Sequence, residues 1–302
     1  FSSNSVIVRI SKYNPLKSKI TELCKVLEIP PIDILIDDTP EMPILLDEES
    51  VTSIELFAGT GGLALGLEQA GINTVLLNEI DAVCCDTLRT NRPKWNIVEG
   101  DISKIDFKPY LGKIDIVSGG FPCQAFSYAG LRLGLEDIRG TLFYEFARCV
   151  KEVKPLIFMA ENVRGLQSHD RGRTLSTILG VLGDLGYDIQ YRVLNAVNYG
   201  VPQKRERLVI IGTRGGLSFE YPEASNNVIS LREALRGCPK SEGQTYSERK
   251  KHVLDLVPQG GSWVNLPIEI QKDYMGASYY SSGGRRGMAR RMSWDEPSLT
   301  LT

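Results

Sequence analysis

Histidine is scarce in this 302-residue sequence, which has only His169 and His252, and its six cysteines (Cys24, Cys84, Cys85, Cys123, Cys149, Cys238) form no CxxC pair and no metal-ligand spacing. A zinc or other metal site is therefore not expected. Long apolar runs are missing too: nothing approaches the roughly 18–20 residues that cross a bilayer, and no stretch reads as a secretory signal peptide. Neither a membrane partner nor an oxidising compartment is expected. Excess charge is also lacking, with Lys+Arg 35 against Asp+Glu 37. Hydrophobic residues at 42% and charged residues at 24% are ordinary globular values that exclude a mainly disordered chain. The length suits one large domain, or a large and a small one.

Within 1–50, Ile20, Leu23, Cys24 and Leu27 fall at i, i+3, i+4 and i+7, an apolar stripe that predicts a short helix over 17–29. Pro30-Pro31 stops it, and Pro40, Pro43 and Asp47-Glu48-Glu49 read as a linker. Residues 1–50 are thus expected to be an N-terminal arm, the alternative being a regulatory or DNA-contacting module. From Thr52 short apolar runs alternate with helical stretches. Strands are predicted at 53–57, 74–77, 114–117 and 156–159, and helices at 63–70, 82–90, 141–152 and 174–184. This alternation predicts an α/β fold with a mainly parallel sheet covered by helices on both faces. After about Gly212 the pattern breaks into Gly, Ser and Pro, so a smaller irregular domain is expected there. Charge is divided as well: 1–50 hold 5 basic and 9 acidic side chains, 203–302 hold 15 and 11. The tightest basic cluster is Arg285, Arg286, Arg290 and Arg291, either a solvated loop or a set of phosphate contacts.

Phe57-Ala58-Gly59-Thr60-Gly61-Gly62 lies between the first predicted strand and its helix. Glycines there let the backbone turn tightly and bring a ligand close to the amides of a helix N-terminus. Glu79 ends the next strand, where a carboxylate accepts from ribose hydroxyls, and Gly100-Asp101-Ile102 puts a second acid at a third strand end. The full GxGxxG spacing is missing, which argues against a pyrophosphate and for a phosphate-free adenosyl ligand.

Cys123, in Gly119-Gly120-Phe121-Pro122-Cys123-Gln124, follows the predicted strand 114–117, at the sheet end where such folds place ligands. Core packing explains Cys24, Cys84, Cys85 and Cys149 well, but Cys123 sits among glycines and a proline before a polar loop, where a thiolate would be a nucleophile. Glu161-Asn162-Val163 ends the next strand and presents a carboxylate. Cysteine and glutamate without a nearby histidine do not suit a thiol protease. They suit attack on a carbon of a heteroaromatic ring whose nitrogen is held by an acid.

The segments FAGTGG, NEID, GDI, GGFPCQAFS, ENV and Gln203-Lys204-Arg205-Glu206-Arg207, in that order, resemble those of the cytosine-C5 DNA methyltransferases of bacterial restriction-modification systems. The resemblance covers roughly 52–213 and resumes near 290–302. It implies a Rossmann-like, mixed but mostly parallel sheet of the class I S-adenosylmethionine-dependent methyltransferase type, with a small irregular target-recognition domain. S-Adenosylmethionine, leaving as S-adenosylhomocysteine, would sit over Phe57, Ala58, Gly59, Thr60, Gly61 and Gly62, with Glu79 on the ribose and Asp101 near the adenine amine. Ile80 and Ile102 would pack on the adenine, with Pro122 and Leu142 on the same ligand. Cys123 would attack C6 of a flipped-out cytosine, Glu161 would hold N3 and the exocyclic amine, Arg207 would reach O2 and Arg205 would support the site. Gln124, Asn162, Gln203 and the arginines 285, 286, 290 and 291 would contact double-stranded DNA. Residues 124–140 resemble the mobile catalytic loop of the family.

Domains are accordingly expected at 1–50, 51–213 and 214–289 (target recognition), with a return segment at 290–302 and a cytoplasmic, nucleoid-associated location. The family's tenth segment, an Asn-containing helix that closes the cofactor pocket, is not found. That leaves a truncated chain, a C-terminal part outside the sequence, or a split enzyme completed by a second polypeptide, and weak cofactor binding by this chain alone. Three rivals stand beside this reading: a tRNA cytosine methyltransferase, a catalytically incomplete DNA-binding relative, and a redox protein using Cys84-Cys85.

Overall fold

The computed structural model describes residues 51–122, 141–239, 243, 245–280 and 289–300. The expected helix at 17–29, the segment 123–140 with Cys123 and Gln124, and Arg285 and Arg286 lie outside the described residues.

Strand and helix alternate from the start: β1 Thr52–Leu56, α1 Gly62–Gln69, β2 Asn73–Glu79, α2 Ala82–Asn91, β3 Ile97–Glu99, β4 Ile116–Gly119, α3 Leu142–Val153, β5 Ile157–Val163 and α4 Arg173–Asp184. Then come β6 Asp188–Asn195, β7 Gln203–Lys204 and β8 Glu206–Thr213. Seven strands form one sheet in the order β3-β2-β1-β4-β5-β8-β6. The pairs from β3 to β5 are parallel, and β8 runs antiparallel between β5 and β6. The sheet is mixed and mostly parallel, as expected.

The strands are apolar on both sides because helices cover both faces. Leu76 and Leu77, adjacent in β2, point to opposite faces and join different clusters. Leu76 packs with Ile54, Leu56, Phe158 and the α3 and α4 side chains Phe146, Val150 and Ile178; Leu77 packs with Ala58, Ala64 and Leu88 of the α1–α2 layer. Helix α3 starts where the Thr141 hydroxyl accepts from the Tyr144 amide, and α2 where Asp81 accepts from Cys84.

All four expected strands form with shifted ends, and two of the shifts have a visible cause. β1 stops at Leu56 because Phe57 turns to φ 57°. β4 starts at Ile116 because Asp115 turns its carboxylate back onto the Thr52 amide at 2.8 Å.

Beyond β8 the described residues form three short helices, α5 Leu231–Ala234, α6 Glu248–Leu256 and α7 Ile268–Met275. Val253, Val257, Trp263, Leu266 and Met275 form a small apolar cluster apart from the sheet core. The chain then returns: β9 Ser298–Leu299 pairs in parallel with β7, and Lys204 Nζ meets Glu296 at 2.7 Å. Among the described residues no helix is long and apolar enough to cross a membrane, and no His/Cys/Asp/Glu group is arranged to hold a metal ion.

Candidate active site

From β1 the chain passes to β2 on one side of the sheet, while β4 lies on the other, so the crevice between the ends of β1 and β4 is the topological switch point. Leu56 stands beside Gly119 there. A Cβ on Gly119 would be 2.8 Å from the Leu56 carbonyl oxygen, so only glycine lets the two strands meet this closely.

The loop leaving β1 is wound tightly. Phe57 (φ 57°), Gly59 (φ 54°) and Gly61 (φ 85°) all take left-handed conformations, the first of them strained for a residue with a side chain. A Cβ on Gly61 would lie 2.5 Å from Leu88 Cδ2 and 3.1 Å from the Trp95 ring, which packs the turn against α2. Cβ atoms on Gly59 and Gly62 would meet nothing within 4 Å. Ala58 is buried, Thr60 is exposed, and α1 begins without a side-chain cap. An uncapped helix N-terminus of this kind can donate its backbone amides to a ligand's polar groups.

Glu79 faces this loop from the end of β2. Its Oε2 accepts from the Gly59 amide at 2.7 Å, and its Oε1 accepts from the amides of Ile80 (2.8 Å) and Asp81 (2.9 Å). The carboxylate is locked in one orientation. Asn78, 2% exposed, donates to the carbonyls of Val98 and Gly100 and so ties β2 to the chain carrying Asp101. Asp101 is exposed, accepts from the Ser103 amide at 2.9 Å, and that bond holds its carboxyl below the usual carboxylate range. Ile80 is largely exposed beside these acids, whereas Ile102 is buried in the sheet core. Leu142, the first residue of α3, is half-buried, and Pro122 is exposed.

The other wall is built by β5 and β8. Glu161 pairs in register with Val209, and Arg207 with Val163, so the two side chains are diagonal neighbours on one face. Arg207 Nε donates to Glu161 Oε1 at 2.7 Å, with side chains 22% and 34% exposed respectively. A Cβ on Gly120 would stand 3.1 Å from Glu161 Oε2, so the carboxylate lies directly against the backbone that leads to Cys123. Asn162 is buried and donates to the Phe121 carbonyl at 2.8 Å, while its Oδ1 accepts from Val163. It braces the same loop from below. The glycine turn and the two acids stand at the ends of β1, β2 and β3, and the glutamate–arginine pair lies against Gly120 at the end of β4, across the switch point.

The family model for C-5 cytosine-specific DNA methylase matches residues 51–289. The chain belongs to this family. The Escherichia coli Type II methyltransferase M.Eco47II is 57% identical over 263 residues, covering 83% of this chain and 63% of its own length. The Staphylococcus aureus Type II methyltransferase M.Sau96I is 48% identical over 319 residues, 96% of this chain and 74% of its own. The chain thus spans less than two thirds of the M.Eco47II relative. These comparisons lend no support to a completing second polypeptide. The crystal structure of a candidate DNA modification methyltransferase encoded within an E. coli prophage shares the fold at 24% identity and TM-score 0.57, over 83% of this chain and 82% of that one. Spodoptera frugiperda DNMT2 shares it at 18% identity and TM-score 0.54, over 78% of this chain and 81% of its own.

Within this methylase fold the remaining expected residues are spread more widely. Arg205 is half-buried beside the site, its amide donating to Asn195 Oδ1 at 3.0 Å. Gln203 lies in β7 and pairs with Ser298. Arg290 is exposed. Arg291 turns its guanidinium onto the carbonyls of Val257 (3.0 Å) and Asp255 (3.4 Å) at the C-terminus of α6, where a cation suits the helix dipole.

Two residues of the site region had no signal in the sequence. Glu55 is 1% exposed in the middle of β1, between Leu77 and Ser118 on the neighbouring strands. Its Oε2 has no hydrogen-bond partner among the described residues, and burial pushes its carboxyl up to about 8. Arg148, on α3, reaches across to the chain that follows Asp101.

Proposed function

We propose that this chain methylates carbon 5 of cytosine in double-stranded DNA, with S-adenosylmethionine as methyl donor, as the modification enzyme of a bacterial restriction-modification system acting in the cytoplasm at the nucleoid. The observation that carries this reading is the Glu161–Arg207 ion pair lying against Gly120, three residues before Cys123.

The residues of the crevice fit an adenosyl ligand. Two carboxylates, Glu79 and exposed Asp101, end β2 and follow β3, Glu79 beside a glycine turn whose Gly59 and Gly62 leave room for a ligand at the backbone. Glu79 would hold the ribose hydroxyls, Asp101 the adenine amine, and exposed Ile80 one face of the ring. When bound, S-adenosylmethionine supplies an electrophilic methyl group to C5 and leaves as S-adenosylhomocysteine.

The chain's own chemistry lies at the other wall. Cys123 would add its thiolate sulfur to C6 of the ring, forming an S–C6 bond and raising electron density at C5. Glu161 would hold N3 and the exocyclic amine through that addition, where charge develops, while Arg207 would keep Glu161 in place and reach O2. Loss of the C5 proton to a base then re-forms the double bond and expels the thiolate. Because C6 is inaccessible within a duplex, the cytosine must first leave the stack, at a cost of a few kcal/mol. We assign DNA reading to the region from 214 to 289, whose small apolar cluster carries it apart from the sheet core, and phosphate contact to exposed Arg290.

The test is transfer of label from S-[methyl-³H]adenosylmethionine by the full-length protein to unmethylated plasmid DNA and, in parallel, to tRNA. Label in DNA, recovered as 5-methylcytosine, is the expected result. Label in tRNA alone, or in neither, overturns the reading.

A further inference from the structure

The segment from Gly100 to Phe107 carries Asp101, the residue assigned to the adenine amine, and it is held from two directions. From β2, Asn78 Nδ2 donates to the carbonyls of Val98 and Gly100, each at 3.0 Å. From α3, Arg148 Nη2 donates to the Ile102 carbonyl at 3.0 Å, and Nη1 to the Ile105 carbonyl at 3.0 Å. The guanidinium rests over the Phe107 ring, 4.9 Å from its centroid, and two acids on its own helix, Glu145 and Glu152, grip it from behind at 2.6 and 3.3 Å.

That geometry exceeds what α3 needs for its own stability. Pairs at i,i+3 and i,i+4 already satisfy an arginine on a helix surface, and such pairs require no reach to a neighbouring loop. Here the planar fork spends two donors on main-chain carbonyls three residues apart, which a lysine ammonium on a flexible stem cannot span in the same way. Those carbonyls lie one and four residues after Asp101, which caps the turn Ile102–Lys104, and Ile102 itself is sunk in the core.

We propose that Arg148 is a positioning residue for the cofactor site. Through Ile102 and Ile105 it sets the depth and orientation at which Asp101 meets the adenine amine, with Asn78 holding the same segment from the opposite side. The proposal rests on the S-adenosylmethionine reading above and deepens it by naming what aligns the adenine end.

The test uses the full-length protein and its Arg148→Lys variant, with S-adenosylhomocysteine binding followed by calorimetry. Arg148→Lys is expected to weaken binding at least tenfold and to leave DNA affinity within twofold. It should also speed hydrogen exchange at the amides of residues 103–107 in the absence of ligand. Because the two residues act together, Asp101→Asn should cost a much smaller factor in the Arg148→Lys background than in the parent. A purely structural arginine would lower the melting temperature and leave the two losses independent. Equal affinity of parent and variant, or multiplicative losses, overturns the proposal. Failure of the parent to bind S-adenosylhomocysteine would instead overturn the cofactor reading, while the exchange rates still show whether Arg148 holds the segment. Should Arg148→Lys fold poorly, Asn78→Ser releases the same segment from β2 and is expected to weaken S-adenosylhomocysteine binding in the same way; unchanged binding there overturns the proposal.

Discussion

Arg207 and Glu161 join the antiparallel strands β8 and β5 through a 2.7 Å bond from Nε to Oε1. The pair fixes the direction of a carboxylate whose other oxygen lies against the Gly120 backbone. A charge-assisted contact of this length is directional, and its value lies in orientation.

Glu161→Gln should therefore slow methyl transfer roughly a hundredfold or more, the usual scale for removing an acid–base group. Arg207→Ala should slow it too, and the double variant should be little slower than the worse single one, because each residue acts through the other. Single-turnover rates measure this. Losses that multiply would mean that the two side chains act separately.

Glu55 makes stability depend on pH. Its folded-state carboxyl titrates at about 8, against an ordinary 4.5, so the folded state holds the proton more tightly than the unfolded chain. Its stabilising contribution is complete below the unfolded value and is lost as pH rises toward the folded one, by roughly 1.4 kcal/mol per pH unit within that window. Glu55→Gln keeps the shape without the ionisation. The variant's melting temperature should exceed the parent's by a margin that widens from pH 5 to 8 and then levels off. A margin that does not change with pH would refute the assignment.

Gly61 and Gly62, adjacent in sequence, should respond in opposite ways. Gly61→Ala forces a side chain into a left-handed position and against Leu88, so a loss of about 2–4 kcal/mol is expected from backbone strain and overpacking together. Gly62→Ala meets nothing within 4 Å and opens a helix, so thermal stability should hold or rise. Its effect should fall on S-adenosylhomocysteine affinity, since a ligand lying on the turn would touch the new methyl. Calorimetry and thermal melts on both variants separate the two effects.

The neighbouring arginines 290 and 291 should likewise part company. Arg290→Ala should lower the salt dependence of DNA binding by about one unit of slope in log K against log salt, as expected for one lost phosphate contact. Arg291→Ala should leave that slope alone and lower the melting temperature, because its guanidinium holds carbonyls at the end of α6. An unchanged slope for Arg290→Ala would remove that residue from the interface.

Much of the site was readable before any coordinates because its signals are local. Glycines in a strand-to-helix turn, and acids at strand ends, declare themselves by residue type and spacing, and the loop of residues 57–62 with Glu79 folds as that spacing implies. Longer-range relationships were not readable. Asn162 looks like a surface polar residue following Glu161, yet its amide is spent on the Phe121 carbonyl, a partner 41 residues away. Glu55 sits in an apolar strand where alternation gives a glutamate no reason to be 1% exposed; it lies between Leu77 and Ser118 of the flanking strands. The β6–β8 pairing carried no strong signal, because β6 has no buried residue and mixes exposed polar with half-buried apolar side chains, and an edge strand lacks the apolar run that marks a central one. Arg148 reads as a solvated helix residue until the 102–107 segment is seen folding beneath it.

The most direct test of the account is covalent trapping. Duplex DNA containing 5-fluorocytosine at the modified position is incubated with S-adenosylmethionine and the full-length protein, and the adduct is digested and sequenced by mass spectrometry. Fluorine at C5 cannot leave as a proton does, so the sulfur–C6 bond persists. The account predicts a methylated fluoropyrimidine attached to the peptide containing Cys123, with none from a Cys123→Ala variant. Attachment to another cysteine, or turnover without any adduct, would contradict it.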